Sequence, residues 1–412
     1  EGNGRRDSRA KAATKAKFVL GSLNMRGSSG VVNGESRSKW LLLNQLMRDK
    51  RIGVLALQET HLDERGAAEL RSLFGQSLEV LVSADAVRPT GARGVAFVIN
   101  KRVLNAKNIT ATVIAPGRAM LLEFEWSTNR RVKMLNVYAP NDRQENKQFW
   151  VDLLEARLTN VDVMLGDMNM VQLALDRLPE RTDAEGQSES FFELIQNMSL
   201  VDGWRSDNPQ TRTFSYMQES TGSQSRIDRI YVSRRHRNDF NQWGFLESGI
   251  PTDHKMVTVA VANQHAPFVG KGRWTMPTHL LSDGEMVKTM RALGADLVRE
   301  IEELEERSPE KNPQVVFGRF KEKLIASARM RAKVKVPLMD KKINKLREAL
   351  QAILNPVGGG NGKELTEEEV RTAALTQDRL AKLEQRRFGR TRESVAAKHW
   401  VQGETLSRYW IK

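Results

Sequence analysis

The chain has 412 residues, 40% hydrophobic and 28% charged, which is apolar material for a sizeable core and more length than one average domain takes. It has a formal net charge of +14 and no cysteine, which excludes disulfides, thiolate zinc sites and cysteine nucleophiles. No apolar run of the roughly eighteen residues needed to span a membrane occurs, and Glu1–Lys17 lacks the apolar stretch of a signal peptide. Residues 1–17 are rich in Lys, Arg, Ala and Ser and read as a basic disordered tail. The first residue is Glu1 where Met would stand, as expected of a fragment or processed product. From residue 18 short β-type runs alternate with helical stretches. Strands are expected at Phe18–Leu23, Gly53–Gln58, Gly94–Ile99, Met120–Trp126, Val132–Tyr138, Val161–Gly166, Arg226–Val232 and Val257–Val261. Helices are expected at Ser38–Lys50, Gln144–Asn160 and Gln187–Met198. Strands outnumber helices and several are spaced for hairpins, which predicts a mixed α/β sandwich rather than a doubly wound parallel sheet.

After about residue 270 strand signals stop. Glu-, Lys-, Leu- and Ala-rich stretches predict helices at Gly284–Arg307, Val315–Ala332, Met339–Leu354 and Leu365–Trp400, punctuated by Pro337 and Pro356–Gly362. The pairs Leu350/Leu354 and Leu375/Arg379 fit a coiled hairpin, with a heptad too broken for a long coiled coil. The basic excess lies in the flanks: net +4 over 1–17, +1 over 18–270 and +9 over 271–412. Basic flanks point to polyanions, nucleic acid first, although solvated faces of long helices account equally well for any single patch.

Five short acidic or amide motifs fall where strands should end and a sixth stands just before the final strand, and strand ends opening into loops are where sheets present functional groups. They are Leu23-Asn24-Met25, Gln58-Glu59-Thr60-His61, Asn136-Val137-Tyr138-Ala139-Pro140-Asn141, Gly166-Asp167-Met168-Asn169, Ser225-Arg226-Ile227-Asp228 and Thr252-Asp253-His254. Glu59, after the apolar run Val54–Leu57, suits a hard divalent cation. Asp167 follows Val163–Gly166 in the same way, and Asn169 lies two residues on, on the same side of an extended chain. That pair could orient a water and donate to a phosphate oxygen. Asp228 beside Asp253-His254 offers a carboxylate–imidazole pair that keeps the ring charged against a phosphate. Singly, each residue defaults to a turn former or a satisfied core polar group, His254, His61, Thr60 and Tyr138 included. Six in one order form a strong combined signal. Trp204, Trp243 and Phe214 read as core, and Phe191 and Phe192 as the buried face of a helix. Residues 26–37, 61–66, 177–189 and 206–224 read as loops.

The motifs resemble those of the endonuclease/exonuclease/phosphatase superfamily, with the deoxyribonuclease-I-like fold. Gln58–His61, Tyr138–Asn141 and Thr252–His254 resemble most closely the endonuclease domain of LINE-type (non-LTR) retrotransposon proteins. The resemblance implies a four-layered α/β sandwich over 18–265, followed by a mostly helical basic linker region over 266–412. It implies a Mg²⁺ site, with Mn²⁺ as the alternative ion, served by Glu59, Asn24 and Asp253. Asp167 would position or activate the attacking water, and Asn169 would contact the phosphate. Asp228 would orient His254, which stabilises the transition state, and Tyr138 would assist the phosphate or leaving group. Asn141 and Thr252 would serve substrate binding. Gly272-Arg273-Trp274 with Leu280–Asp283, and His399–Trp410, resemble the segments that lead in such proteins toward a reverse transcriptase, of which no signature precedes Lys412. The expected activity is metal-dependent nicking of DNA. The basic C-terminal region is expected to suit element RNA, and the substrate implies the nucleus. An abasic-site repair nuclease, another phosphodiesterase of the superfamily and a catalytically relict nucleic-acid-binding protein are the competing readings.

Overall fold

A strand that is apolar on both faces needs cover on both, and this requirement organises the strand-rich part of the chain. The computed structural model describes residues 17–32, 35–126, 130–183, 189–218, 220–262, 276, 280–281, 283–304, 308–334, 338–356 and 365–403. They begin with β1 (Lys17–Asn24), the hairpin of β2 (Ser29–Val32) and β3 (Glu35–Ser38), α1 (Lys39–Asp49), β4 (Ile52–Gln58), α2 (Glu64–Phe74) and β5 (Leu78–Ser83). There follow β6 (Val95–Asn100), β7 (Ala106–Ala115), β8 (Ala119–Trp126), β9 (Arg130–Tyr138), α3 (Arg143–Glu155) and β10 (Val163–Asp167). Next are β11 (Arg177–Leu178), α4 (Glu189–Asn197), β12 (Leu200–Asp202), α5 (Gly203–Asp207), β13 (Tyr216–Met217) and β14 (Gln224–Ser225). β15 (Asp228–Ser233), β16 (Phe240–Leu246) and β17 (Met256–Ala262) complete the strands. The helices α6 (Gly284–Glu302), α7 (Pro313–Val334), α8 (Leu338–Leu354) and α9 (Glu367–Gly403) come last.

Two six-stranded sheets form, in the orders β16-β17-β1-β4-β6-β5 and β12-β15-β10-β9-β8-β7. β1 pairs in parallel with β4, and β9 with β10, while the other pairs in these sheets are antiparallel. Period two along each strand decides what it covers. In β4, Val54 and Ala56 join Phe97, Phe124, Leu165 and Val259 in the core between the sheets. Leu55 and Leu57 turn the other way and pack with Trp40 and Leu43 of α1 and Leu70 of α2. On the outer face of the second sheet, Leu135, Val137 and Met164 meet Trp150 of α3 and Phe191 of α4. The result is helix, sheet, sheet, helix: the four-layered α/β sandwich of the deoxyribonuclease-I-like type.

The structure corrects several local expectations. Residues 26–37 contain the β2–β3 hairpin, and α2 begins at Glu64 within the expected loop 61–66, capped by Asp63 accepting from Gly66 N. The stretches 177–189 and 206–224 supply β11, β13 and β14, which make a small third sheet. α3 ends at Glu155 rather than Asn160. Phe191 is buried, but Phe192 is 41% exposed. Neighbouring helical positions lie about 100° apart, so both cannot face one core. Trp204 and Phe214 are buried as expected and Trp243 is half-buried. Leu350 and Leu354 are buried, whereas Leu375, expected in a coiled seam, is 54% exposed. The readings on the N-terminal tail, on Gly272–Trp274 and on the residues after Gly403 lie outside the described residues.

The chain divides into two compact units, Glu1–Gly270 with Glu348–Gly389, and Lys271–Arg347 with Arg390–Lys412. In the first, Arg212 N donates to Asn355 Oδ1 at 2.7 Å and Asn355 Nδ2 donates back to Arg212 O at 3.2 Å. In the second, Leu280, Met286 and Ala328 are buried together, and Asp283 caps α6 while accepting from Arg331 Nε at 2.7 Å. Among the described residues no helix is long and apolar enough to cross a membrane.

Candidate active site

Strand register sets the site. In the second sheet Asp167 lies opposite Tyr138 on one side and Asp228 on the other, so three polar residues stand in one row at the strand ends. In the first sheet Asn24 lies opposite Gln58, one residue before Glu59. His254 precedes β17 and pairs through its backbone with Tyr216. The two sheets are tied together beneath these ends: Gln58 Nε2 donates to Asn136 Oδ1 at 2.7 Å, and Asn136 Nδ2 donates to Leu57 O and Ala96 O.

Asn24 joins the two halves. Its Nδ2 donates to Glu59 Oε1 at 2.8 Å and to Asp167 Oδ2 at 3.0 Å, while Thr252 Oγ1 donates to its carbonyl at 2.9 Å. Asp167 Oδ1 accepts from Asn169 N at 3.0 Å, and Asn169 Nδ2 donates to Ala139 O at 2.8 Å. Asp228 Oδ2 lies 2.8 Å from His254 Nδ1. Asp167, Asp228 and His254 are all buried and bring ligand atoms within 4.8 Å of one another. Asp253 Oδ2 accepts from Arg26 at 3.0 Å. Nine of the ten residues singled out from the sequence are thus linked around one centre, Tyr138 through its hydrogen bond to Glu59. The tenth, Asn141, is exposed at the start of the loop before α3, and no described hydrogen bond joins it to the others.

Burial governs the charges. It pushes Asp167 above the usual carboxylate range, and the charge of Asp228 adds to the push. Burial alone would favour a neutral His254, but the Asp228 carboxylate and its hydrogen bond, with Asp167 and Asp253 beyond, raise the ring to about 9. Burial, then Glu59 and Asp167, raise Tyr138 well above its ordinary value, so the phenol stays protonated. The ring at about 9 and the acid shifted upward leave a charged imidazolium beside an acid that readily takes a proton.

Three left-handed backbone positions lie at the site. Arg26, Glu59 and Asn169 have φ near +50°, a region that side chains other than glycine seldom occupy and that costs about 1–3 kcal/mol each. Gly166, just before Asp167, has φ +142°, and a Cβ there would lie 1.9 Å from Val137 O. Gly166→Ala should therefore cost about 3 kcal/mol or more, read as a lower melting temperature together with lost activity.

The donor set suits a hard cation. Asp228 Oδ1 and Asp253 Oδ1 are buried carboxylate oxygens with no hydrogen-bond partner, and Glu59 lies against Asn24 beside them.

Sequence reasoning missed Lys39, Arg26, Ser215 and Tyr216. Lys39 is 3% exposed and donates to Met25 O at 2.6 Å and Arg26 O at 3.0 Å, holding the turn after Asn24; burial, then Arg26, lower it to about 8. Ser215 Oγ accepts from Asp228 N at 3.0 Å, and the Tyr216 ring lies 4.8 Å from that of His254. A lysine beside the apolar run Trp40–Leu43 reads as a helix start, and nothing local betrays its contact with Met25. Arg26 alone had a signal, standing directly after the motif Leu23-Asn24-Met25.

Residues 21–254 match the sequence profile of the Endonuclease/Exonuclease/phosphatase family, more than half of the chain. A 149 kDa protein of transposon TX1 from Xenopus laevis is 35% identical over 193 residues, 44% of this chain and 14% of that protein. The AP endonuclease LMAP from Leishmania major has a similar structure, with a TM-score of 0.51 and 17% identity, over 64% of this chain and 93% of that one. The endonuclease domain of TRAS1, a telomere-specific non-LTR retrotransposon, aligns at a TM-score of 0.43 and 10% identity, over 60% of this chain and 99% of that domain.

Proposed function

Because this chain belongs to the endonuclease/exonuclease/phosphatase family, we propose that it is a divalent-metal-dependent endonuclease that nicks one strand of DNA. The observation that carries this reading is the buried group of Asp167, Asp228 and His254, with Asn24 tying Asp167 to Glu59. Asp167 takes the proton of the attacking water, and its raised pKa makes it a competent base near neutral pH. Its orientation is fixed by Asn24 and by the Asn169 backbone. His254, held charged by Asp228, faces the developing negative charge on the phosphoryl oxygens. Tyr138 presents a phenol O–H toward the leaving side, and Asn169 contacts the phosphate. Glu59, Asn24 and Asp253 would hold Mg²⁺ or Mn²⁺, which supplies charge neutralisation at the phosphoryl oxygens when bound. Asn141 and Thr252 line the approach of the strand. Hydrolysis by in-line attack leaves a 5′-phosphate and a 3′-hydroxyl.

Identity to a transposon protein supports a retroelement origin, with this chain corresponding to one part of a longer protein. A 3′-hydroxyl at the nick is what a linked polymerase would extend, and genomic DNA as substrate places the reaction in the nucleus. Supercoiled plasmid should pass to open circle in Mg²⁺, remain intact in EDTA, and convert at least about 10²-fold more slowly with His254→Ala. Nicking that persists in EDTA would remove the metal from the mechanism.

A further inference from the structure

The last helix, α9, comes back onto the first compact unit beside the site. Its stretch up to Gly389 belongs to that unit, although it stands outside residues 21–254 that match the family. Among its described residues, Ala373, Gln377, Leu380 and Glu384 are buried, and steps of four, three and four put them on one helix face. Gln377 Nε2 donates to Glu247 Oε1 at 3.2 Å, and a Cβ on Gly222 would lie 3.7 Å from that of Ala374. A cavity of about 240 Å³ separates Tyr216, Asp253 and His254 from Asp378 and Lys382 of α9. A second, of about 520 Å³, lies between Pro179 and Arg212 on one side and Val370 and Arg371 of α9 on the other.

This seat is loosely built. A helix docked for good buries a wide apolar stripe, as α1 does with Trp40, Leu43, Leu46 and Met47. The α9 face buries one large apolar side chain, Leu380, in company with a glutamine and a glutamate. Gln377 Oε1 is buried without a hydrogen-bond partner, and such an atom opposes docking because it gives up water for nothing. Each cavity adds wall atoms that lack contacts across the interface. Nor is the face suited to holding DNA, whose affinity comes chiefly from cations set against phosphates. The cation that α9 brings to the His254 cavity, Lys382, already has Asp378 at 2.7 Å.

We propose that this stretch of α9 is an autoinhibitory cap. Docked, it walls His254 off from a DNA strand, and cutting requires it to lift. The proposal rests on the nuclease reading above. The space left under the helix is smaller than the roughly 300–1,000 Å³ of a pocket for a drug-sized ligand, so a strand enters only as the helix leaves. Because the open fraction alone binds, the apparent affinity for DNA is reduced by that fraction.

The test uses the full chain, which has no cysteine of its own. The Cβ separation at Gly222 and Ala374 matches the roughly 3.8 Å of a disulfide, so Gly222→Cys with Ala374→Cys should lock the cap when oxidised with diamide. The locked chain should nick plasmid, and bind a fluorescent DNA duplex in EDTA, at least about tenfold more weakly than the same chain reduced with dithiothreitol. Failure of the disulfide to form, or equal rates and affinities with it formed, overturns the proposal. Gly222 has φ +69°, where a side chain is strained, so a second variant reads the cap without it. Leu380→Asp should unseat the helix, and both nicking and DNA binding in EDTA should rise several-fold. Weaker binding by Leu380→Asp would make α9 part of the DNA surface and would equally overturn the cap. If neither wild type nor variants nick, the nuclease reading fails, while the binding comparison in EDTA still decides whether α9 blocks DNA.

Discussion

Asp167→Ala is expected to slow nicking by roughly 10²–10⁴-fold, the usual range for a positioned acid–base group, while leaving the protein as stable as before or more so. The second half of this expectation follows from the environment. Asp167 is buried 2 residues from Asn169 and directly opposite Asp228, where burial and a second carboxylate both oppose its charge. Removing it relieves that opposition, and active-site residues often carry such a stability cost. Plasmid nicking and thermal unfolding on the same preparation check both parts. Wild-type nicking by the variant would mean that the water is activated elsewhere. A large fall in melting temperature would mean that Asp167 holds the sheet together and that lost activity says nothing about chemistry.

The largest expected loss of stability lies at another carboxylate. Asp176 is fully buried and accepts from Arg226 Nε at 2.6 Å and Nη2 at 2.9 Å, while Arg205 also pairs with it. Arg226 is itself 1% exposed and reaches Asp202 Oδ2 at 2.7 Å. Asp176→Asn leaves two largely buried guanidinium groups sharing one remaining carboxylate, a loss of about 3–5 kcal/mol. In a unit of this size that is roughly 10 °C in melting temperature. The acid side gives a second check. Burial would raise Asp176, but Arg226, Arg229 and Arg205 outweigh it and hold the carboxyl below its ordinary value. A depressed folded pKa stabilises the protein above the unfolded value of about 3.9. That contribution is lost as pH falls below that value toward the folded one. The wild type should therefore lose stability more steeply below about pH 4 than Asp176→Asn does. Equal slopes would show that the arginines do not bind this carboxylate in solution.

How much of this was legible beforehand depended on whether a residue's partner was near it in sequence. The central strands were readable because their apolar runs, such as Val54–Leu57 and Val163–Leu165, are long enough to need burial on both faces. β7 was not, because it is an edge strand whose residues Ala106–Ala115 are mostly exposed and mostly unpatterned. β16, Phe240–Leu246, mixes Asn, Gln and Gly into its run, and its pairing with β17 decides its conformation. The two-residue strands β11, β13 and β14 have no local signature at all. β5 and α2 did carry signals, alternation in Leu78–Ser83 and the cap Asp63, that the reading passed over. At the site, Asn24, Glu59 and Asp167 announced themselves by standing where apolar runs stop, and His254 by standing just before one begins. Lys39 and Ser215 act through contacts that only the folded chain creates.

The meeting of β1 with β17 has a consequence for timing. β17, reached more than 230 residues after β1, lies inside the first sheet between β1 and the edge strand β16, and His254 stands at its threshold. A chain being synthesised thus has Asn24, Glu59 and even Asp167 in hand long before it has an imidazole to set against a phosphate. Closing so long a loop is slow relative to forming local hairpins. On the proposed function, cutting would therefore be switched on late, by the same event that seals the sheet.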